Sequence, residues 1–374
     1  MTDIQLQEFL RDRYGLVVMS MDALHGFDDH NYHVIARTQA SVTSPPRSFC
    51  LKVINEEDSR TPDKILAVNA LMKFSQAAGV STQSTISDMD GREASRLSCP
   101  GEKYDGRLVC LRSWLPGILL SQVNMTPDRL FRFGQYVAQF SSSLLKSTDK
   151  HCRLPVVHCP FQNFRHPFYQ KYKFTWRLDN VSDVLNKLWT VSGETRRELV
   201  RAVVNEFEDQ VLPLCGQFTR GQIHGDLNLC NVLVSSGGHS FPSSDRETDN
   251  SPLVISGLLD FQDSHISYTV FELAVALAHV TLTTRSQLDP LVMPAHVIAG
   301  YQSRHALNWA ELHVLPVCVA ARLSQLLVYG EFYHHKDPDN NSVRENPELK
   351  WRLLLEIWNK RQQLELSWGS LGQG

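Results

Sequence analysis

The sequence has no large excess of either charge and no long apolar run. Its 374 residues include 37 Lys and Arg against 40 Asp and Glu, for a formal net charge of −3, and they contain no basic block of the kind that follows a phosphate backbone. The most apolar run, "VFELAVALAHVTL", is shorter than a membrane span and includes a Glu and a His. The N-terminus lacks the apolar core of a secretion signal. We therefore expect a cytoplasmic protein with no nucleic-acid or membrane partner.

Paired cysteines and the short motifs of several enzyme classes are also missing. The 8 Cys residues form no C-x-x-C pair and no metal-ligand spacing with His, a pattern typical of reduced thiols in a cytosolic protein. The chain contains no G-x-S-x-G, no G-x-x-x-x-G-K-[ST], no H-E-x-x-H, and no G-x-G-x-x-G after a strand. Hydrolase, dehydrogenase and zinc-protease functions are therefore set aside.

What the sequence does contain is enough apolar material for about two lobes, since 42% of its residues are hydrophobic. In the first part we predict a leading helix up to Gly15, antiparallel strands in "NYHVIAR" and "SFCLKVIN", and a helix that begins at Thr61 and Pro62. A further strand in "GRLVCLRSW" runs into a Pro–Gly break. Residues 1–115 are therefore predicted to form an antiparallel sheet with a helix.

Helical patterns dominate after the break. "TPDRLFRFGQYVAQFSSSLL" places an apolar stripe on one helix face. Further helices are predicted in "ETRRELVRAVVNEFEDQVLPL", "YTVFELAVALAHVTL", "ELHVLPVCVAARLSQLLVYGEFY" and "ENPELKWRLLLEIWNKRQQLEL". A hairpin of "NVLV" and "LVISGLLDF" interrupts them, with residues 235–252 as its polar loop. The fold class expected is α+β, with a mostly helical second lobe at residues 116–374.

Polar side chains follow two strand-like runs of this second lobe. In "QIHGDLNLCNVLV", Asp226 and Asn231 lie on a turn that leads into a strand, and in "VISGLLDFQD", Asp260 follows the strand expected to pair with it. Two carboxylates and a carboxamide that converge supply oxygen ligands for Mg²⁺ and a group that accepts a proton. This combination predicts phosphoryl transfer, with Asn231 and Asp260 on the metal and Asp226 facing the acceptor hydroxyl.

Each of these side chains also has a plainer interpretation as a helix cap, a turn residue or a solvated residue. Their joint occurrence favours function, and a fourth residue strengthens it. Phosphoryl transfer of the kinase type uses a strand Lys in the first lobe to hold the α- and β-phosphates, and Lys52 lies in the middle of "CLKVIN".

The order of these motifs resembles the aminoglycoside phosphotransferase and choline kinase group of kinase-like enzymes. The group's H-G-D-x-x-x-x-N signature is matched by His224, Gly225, Asp226 and Asn231. Within the group, the sequence is similar to the branch that phosphorylates 5-hydroxy-L-lysine, through "FDDHNYHV", "LKV", "AAGVST", "LPG", "HGDLN", "GLLDF", "VFELAV" and "ARLSQ". The similarity covers most of the chain.

The resemblance implies a two-lobe, protein-kinase-like fold with a nucleotide-binding first lobe, and Mg²⁺ as cofactor. The reaction it implies is transfer of the γ-phosphate of GTP or ATP to the hydroxyl of 5-hydroxy-L-lysine. It assigns Asp226 as the catalytic residue and His224 as a residue that holds the catalytic loop. Lys52 and Asn31 would contact the nucleotide, and Trp114 in "LRSWLPG" would pack on the base or fill the core.

The sequence departs from the group's pattern in three places. Gln262 in "DFQD" replaces the usual Gly of D-F-G-D. The first-lobe helix has Val68 or Asn69 where kinases have a Glu that pairs with the strand Lys. The phosphate-covering segment "LHGFDDHNYHV" has a single Gly, so its contacts must come from side chains or few amides, with Asp28 and Asp29 orienting the turn.

The acceptor has two ammonium groups and one carboxylate to neutralise. Asp263 or Glu272 would face an ammonium group and Arg322 the carboxylate, although Glu272 is equally interpreted as a buried structural anion. The aromatic segment 161–176 either lines a substrate pocket or packs as a helix connection. Two alternatives stay open: a related kinase for choline, ethanolamine, homoserine or a sugar, and a pseudoenzyme that binds nucleotide without turnover. The oligomeric state is not predicted.

Overall fold

The computed structural model describes residues 3–24, 26, 28–40, 44–145, 164–172, 174–235, 252–338 and 345–370. The chain divides into two compact units. Unit 1 comprises Met1–Ala77, Ser81–Pro116 and His166–Phe168. Unit 2 comprises Ala78–Val80, Gly117–Arg165 and Tyr169–Gly374. The main division therefore lies after Pro116, whereas the sequence placed it after residue 115.

Unit 1 is built on a 6-stranded antiparallel sheet. Its strands are β1 (Leu16–Leu24), β2 (His30–Thr38), β3 (Arg47–Val53), β4 (Thr85–Ile86), β5 (Ser95–Arg96) and β6 (Leu108–Ser113). The order is β1-β2-β3-β6-β4, and β5 pairs with the first residues of β6. The predicted antiparallel pair, β2 and β3, is confirmed. Strand β1 was not predicted, because its exposed Val17 and Met19 obscure the alternation of apolar and polar residues.

Helices cover both faces of this sheet. They are α1 (Asp3–Tyr14), α2 (Glu56–Ser59) and α3 (Pro62–Ala77), and α1 and α3 are the two helices that the sequence predicted. Leu6 and Leu10 of α1 join a buried cluster with Leu51 of β3 and Leu111 of β6. On the opposite face, α3 packs through Ile65 against Ile54, Leu108 and Cys110. Since side chains alternate along a strand, Cys50 and Lys52 lie on the α3 face.

Unit 2 is mostly helical. Its helices are α4 (Pro127–Leu145), the last three residues of α5 (Pro167–Lys171), α6 (Glu194–Glu206), α7 (Thr269–Thr281), α8 (Met293–Gln302), α9 (Trp309–Lys336) and α10 (Pro347–Ser370). The first two residues of α5 belong to unit 1. Two 3₁₀ pieces that meet at a kink at Asn180 and together span Leu178–Thr190 precede α6. The apolar stripe of α4 is buried as predicted, from Leu130 through Leu144. Helix α9 is long and apolar enough to cross a membrane by composition, but 83% of its most apolar window is buried inside the fold, as in a core helix.

The strands of unit 2 are short, with two to five residues each. They are β7 (Ile118–Leu119), β8 (Arg220–Ile223), β9 (Val232–Ser235), β10 (Val254–Leu258) and β11 (His265–Tyr268). The predicted hairpin is confirmed as β9 and β10, which pair antiparallel, with β7 on the other side of β9. Most of the predicted hairpin loop, residues 236–251, lies outside the described residues. Strand β11 pairs antiparallel with β8.

Candidate active site

Two loops of unit 2 are forced to lie side by side by the strands that flank them. Residues 224–231 connect β8 to β9, and residues 259–264 connect β10 to β11. At one end of the loops His265 pairs with Ile223, and at the other Leu258 pairs with Val232. Leu259 N–H also donates to the Asn231 carbonyl at 2.8 Å. The pairing therefore brings Asp260 next to the loop of Asp226 and Asn231, as the sequence predicted.

Asp226 has its carboxylate fixed by three side-chain donors. Asn228 Nδ2 and Asn231 Nδ2 donate to Oδ2 at 2.8 and 3.0 Å, and Arg322 Nη2 donates to Oδ1 at 3.1 Å. Burial raises the pKa of the Asp226 carboxyl, Arg322 and Asn228 act in the opposite direction, and Asp260 raises it. Because 24% of the side chain stays exposed, an acceptor hydroxyl can still reach the carboxylate.

Asn231 is oriented so that one atom remains for a metal. Its Nδ2 donates to the Asp226 carbonyl at 2.8 Å as well as to the carboxylate, which leaves Oδ1 as the atom not used by these bonds. Within the described residues no group of three or more His, Cys, Asp or Glu side chains is arranged to hold a metal. A carboxamide oxygen and one carboxylate, completed by phosphates and water, are the donors that Mg²⁺ takes at phosphoryl-transfer sites. Asn231 and Asp260 therefore fit Mg²⁺.

Asp260 has an unusual backbone conformation at the end of the hairpin. Its φ of 58° and ψ of 71° lie in the left-handed region, which costs a non-Gly residue about 1–3 kcal/mol; residues with strained backbone of this kind cluster at functional sites. A 3₁₀ turn, Phe261–Asp263, follows at once, with Gln262 buried inside it. The left-handed conformation is thus adopted by Asp260, so the loop turns without a Gly at the position of Gln262.

His224 holds the catalytic loop through both ring nitrogens. Its ring is fully buried, Nε2 bonds the Leu259 carbonyl at 2.8 Å, and Nδ1 accepts from Asp226 N–H at 3.3 Å. A ring that donates at Nε2 and accepts at Nδ1 is neutral, and burial lowers the pKa of His224 to about 4. The imidazole thus ties the loop of Asp226 to the loop of Asp260.

Glu272 of α7 binds the backbone of the same loop. Its side chain is fully buried and accepts hydrogen bonds from the backbone N–H of His224 and of Gly225, the latter at 3.2 Å. Burial raises the pKa of Glu272 to about 7, while these backbone donors lower it. The substrate-binding prediction for Glu272 is therefore wrong, because an inaccessible carboxylate cannot meet an ammonium group. The alternative interpretation, a buried structural anion, describes it.

Gly225 allows the two loops to approach each other. Its φ is +83°, and a Cβ at this position would lie 2.3 Å from the Asp263 carbonyl oxygen and 2.9 Å from the His265 ring. His265 is itself fixed by a bond from Nδ1 to that carbonyl at 2.7 Å. Only a residue without a side chain satisfies both the conformation and the distance, which explains the Gly of the H-G-D motif here.

Arg322 of α9 lies against Asp226. Besides its bond to Asp226, its Nη1 donates to the Trp176 carbonyl at 3.4 Å, and its guanidinium lies 5.2 Å from the centre of the Trp176 ring. His279 Nε2 is 3.9 Å from the same Asp226 oxygen. Sequence reasoning assigned Arg322 to the substrate carboxylate and missed Asn228 and His279. A polar residue two positions after Asp226 was the only signal that could have pointed to Asn228.

Lys52 in unit 1 has a carboxylate partner that does not come from the helix. Its Nζ is 3.1 Å from Asp29 Oδ2, and both side chains are buried. Asp29 Oδ1 accepts from Asn55 N–H at 2.7 Å and from Asn55 Nδ2 at 3.0 Å. Asp29, predicted only to orient the turn, thus supplies the negative charge that kinases place on the helix.

The other two nucleotide-binding candidates also lie in unit 1. Asn31 is directly opposite Lys52 in the pairing of β2 with β3, so their side chains share one face of the sheet. Trp114 stacks on His33 with ring centres 3.9 Å apart, which means that one face of its ring is covered within unit 1. Asp263 in unit 2 is half-buried.

Comparison with known proteins identifies the family. The chain matches the model of the "Phosphotransferase enzyme family" over residues 23–308. It is 28% identical to the hydroxylysine kinase of Bos taurus over 371 residues, which covers 98% of this chain and 92% of that protein. It is 26% identical to the hydroxylysine kinase of Mus musculus over 367 residues, which covers 97% and 90%.

Solved structures of the same type agree with this match. An amicoumacin kinase in complex with AMP-PNP, Ca²⁺ and Ami aligns with a TM-score of 0.61 at 15% identity, over 98% of this chain and 93% of that one. A microcompartment-associated aminopropanol kinase aligns with a TM-score of 0.60 at 17% identity, over 97% and 99%. These alignments confirm the predicted α+β, protein-kinase-like fold. Because the family model spans most of the chain, the protein belongs to the phosphotransferase enzyme family.

Proposed function

We propose that this protein transfers the γ-phosphate of GTP, or of ATP, to the hydroxyl of 5-hydroxy-L-lysine. The chemistry is supported by the geometry around Asp226, where a carboxylate with a fixed orientation remains partly accessible. The acceptor is supported by the relatives that match almost the whole chain, which are hydroxylysine kinases. The matched length is the observation that carries the acceptor, because the motif alone reports phosphoryl transfer and not the alcohol.

In this reaction, side chains of the protein orient the acceptor hydroxyl and neutralise the charge of the phosphates. Asp226 accepts the proton of the attacking hydroxyl, while Arg322 and the two Asn side chains keep its carboxylate in one direction. Lys52 neutralises phosphate oxygens of the donor. When bound, Mg²⁺ supplies positive charge to the phosphates, held by Asn231 and Asp260. General base catalysis contributes about 10²–10⁴-fold, and charge stabilisation contributes most of the rest.

For the acceptor's charged groups we propose Asp263 as the partner of an ammonium group. Arg322 remains a candidate for the carboxylate, although its guanidinium is already bonded to Asp226 and to the Trp176 carbonyl. The pseudoenzyme alternative loses one of its two arguments, because Asp29 provides Lys52 with the carboxylate that the helix does not.

The test is release of GDP or ADP from GTP or ATP with Mg²⁺, with and without 5-hydroxy-L-lysine. We expect release that requires hydroxylysine and that falls about 10²–10⁴-fold in Asp226→Asn. The exposed Asp209→Asn is the matched control for loss of one carboxylate in unit 2, and its activity should equal that of the wild type.

If GDP or ADP is released with choline, ethanolamine, homoserine or a sugar, but not with hydroxylysine, that compound replaces hydroxylysine as the proposed acceptor. Nucleotide-dependent thermal stabilisation with no product from any acceptor would instead establish a pseudoenzyme.

A further inference from the structure

Lys350 in α10 carries an ammonium group that has no partner. The residue is half-buried, and among the described residues its Nζ forms no hydrogen bond and no ion pair, while it keeps contact with solvent. Burial lowers the pKa of Lys350, and the exposed Glu345 acts in the opposite direction without forming an ion pair with it. The ammonium is therefore partly desolvated, unpaired and accessible to a ligand.

The side chain of Lys350 lies on the buried face of its helix. Leu353, Leu354 and Ile357 are buried, and residues three, four and seven positions apart share one face of a helix. Because α10 packs on α8 and α9, this face is directed into unit 2. Lys360 of the same helix is exposed, so the inward position is specific to Lys350.

His279 is a common neighbour of Lys350 and of the catalytic carboxylate. Its Nε2 is 3.9 Å from Asp226 Oδ1, and the two side chains are 22% and 24% exposed. Burial lowers the pKa of His279, and the positive charges of Arg322 and Lys350 lower it as well. Screening weakens such an effect beyond about 10 Å. Asp226, Arg322 and Lys350 therefore all lie near one imidazole ring, in a region that solvent reaches.

The two cations of this region differ in the donors that they have left for a ligand. Arg322 uses Nη2 for Asp226, and it uses Nη1 for the Trp176 carbonyl and for Gln325 Oε1, both at 3.4 Å. Its Nε is buried. An ammonium group has three donors, and Lys350 spends none of them on the described part of the chain. Lys350 is therefore better suited than Arg322 to meet an anionic group of the acceptor.

We propose that Lys350 binds the α-carboxylate of the acceptor and thereby selects amino acids over alcohols without a carboxylate. In extended 5-hydroxy-L-lysine the carboxylate lies about 6 Å from the hydroxyl oxygen. With a hydrogen bond of about 2.9 Å at each end, Asp226 and Lys350 hold the two ends of the molecule. Choline and ethanolamine offer Lys350 no anion, and their ammonium groups are repelled by its charge. The proposal rests on the proposed function and names the residue that recognises the acceptor as an amino acid.

An acceptor analogue tests the proposal on the unaltered protein. 5-Hydroxy-L-lysinamide keeps the hydroxyl and both amino groups, but an uncharged amide replaces the carboxylate. We expect its KM to exceed that of 5-hydroxy-L-lysine by about tenfold or more, because a hydrogen bond between two charged groups is lost, while kcat stays similar. Equal kcat/KM values for the two compounds would overturn the proposal.

Variants test the residue. Lys350→Met should raise the KM for hydroxylysine about tenfold or more and leave kcat/KM for the amide unchanged, whereas Lys350→Arg, which keeps the cation, should retain most of the activity. Lys360→Met removes the exposed Lys of the same helix and should match the wild type. An equal loss for hydroxylysine and for the amide in Lys350→Met indicates a structural role and overturns the proposal. If Lys350→Met does not fold, the analogue comparison on the wild type decides.

Binding separates this proposal from the proposed function. L-Lysine, which has no hydroxyl to phosphorylate, and L-lysinamide are titrated by calorimetry into the wild type and into Lys350→Met. A preference for L-lysine that disappears in the variant supports the role of Lys350 even if hydroxylysine is not phosphorylated. Equal affinities of the wild type for the two compounds, or binding of neither, overturn it even if hydroxylysine is phosphorylated.

Discussion

Arg322 touches the carboxylate of Asp226 and stacks near Trp176, which gives a single residue two possible roles in the reaction. If it positions Asp226, Arg322→Lys should lower kcat by up to ~10²-fold with little change in the KM for hydroxylysine, since a small displacement of a catalytic group has such an effect. If it binds the substrate carboxylate, KM rises instead. Steady-state kinetics separate the two.

The matched control for this substitution is Arg177→Lys. Arg177 is half-buried in unit 2, and its guanidinium pairs with Asp179 at 2.5 Å and not with Asp226. An equal loss of kcat in both variants would mean that any Arg removed from this part of unit 2 disturbs the fold, and the positioning role would be abandoned.

Asp29 compensates the charge of Lys52 when no phosphate is present. Breaking a buried ion pair on one side costs about 3–5 kcal/mol because the remaining charge is left uncompensated. Asp29→Asn should therefore lower the melting temperature, and GTP with Mg²⁺ should restore more of it than in the wild type, because phosphates supply the missing anion. Differential scanning fluorimetry with and without nucleotide measures both.

Asp58→Asn is the control for Asp29→Asn, because it breaks a second Lys–Asp pair of unit 1, that of the buried Lys64. It should lower the melting temperature without enlarging the nucleotide-induced shift. Equal shifts in the two variants would contradict the assignment of Lys52 to the phosphates, and Lys52→Ala, which should lose most of the shift, provides a second test.

At the scale of secondary-structure elements, the catalytic loop depends on a close approach that a single methyl group would prevent. Gly225→Ala adds a Cβ 2.3 Å from the Asp263 carbonyl and forces an Ala to a φ of +83°. Strain of this kind costs about 1–3 kcal/mol. Relief of the clash should also displace the neighbouring Asp226, and a displacement of about 1 Å should reduce kcat by up to ~10²-fold. Activity and melting temperature are the measurements.

Gly216→Ala serves as the control, since a Cβ at Gly216 meets no atom within 4 Å and φ is not in the left-handed region. It should leave both activity and melting temperature close to wild type. Full activity of Gly225→Ala would show that the loops separate without consequence, and the account of the H-G-D glycine would fail.

At the scale of the whole molecule, the buried His224 and His265 and the partly buried His279 of unit 2 make stability depend on pH. Burial lowers the pKa of His224 and of His265 to about 4 and that of His279 to about 3. Unfolded histidines take up protons below a pH of about 6.5, while the folded ones stay neutral. Each therefore lowers the free energy of unfolding as pH falls from about 6.5 to 4.

Two acids have the opposite effect and raise the free energy of unfolding as pH falls, because burial raises the pKa of Glu272 to about 7 and that of Asp28 to about 6. A comparison of variants isolates one histidine from this sum. The free energy of unfolding of His279→Leu, measured by urea titration, should gain on that of the wild type as pH falls from 6.5 to 4. The exposed His335→Leu should show no such gain, and equal pH profiles for His279→Leu and wild type would contradict a neutral His279 in the folded protein.

The sequence alone determined most of the elements and the proximity of the two loops that carry Asp226 and Asp260. Helical and strand periodicity is a local property, so α3, α4, α9 and the hairpin of β9 and β10 were predicted near their observed positions. The spacing of Asp226 and Asn231 and the position of Asp260 after the partner strand are equally local, because strand pairing follows from the pattern of the two runs. Their prediction required no knowledge of the packing between distant segments.

The tertiary structure alone decided the partners. Arg322 is separated in sequence by 96 residues from Asp226, whose carboxylate it bonds, and Glu272 is separated by 48 residues from His224, whose backbone it bonds. Asp29, in the connection between β1 and β2, pairs with Lys52 of β3. The face of an element toward which a charged side chain points, and whether an opposite charge meets it there, depend on packing between distant segments. Periodicity could therefore mark Lys350 as a helix residue, but only the folded protein showed that its ammonium is unpaired within the described residues and lies near the His279 ring beside Asp226.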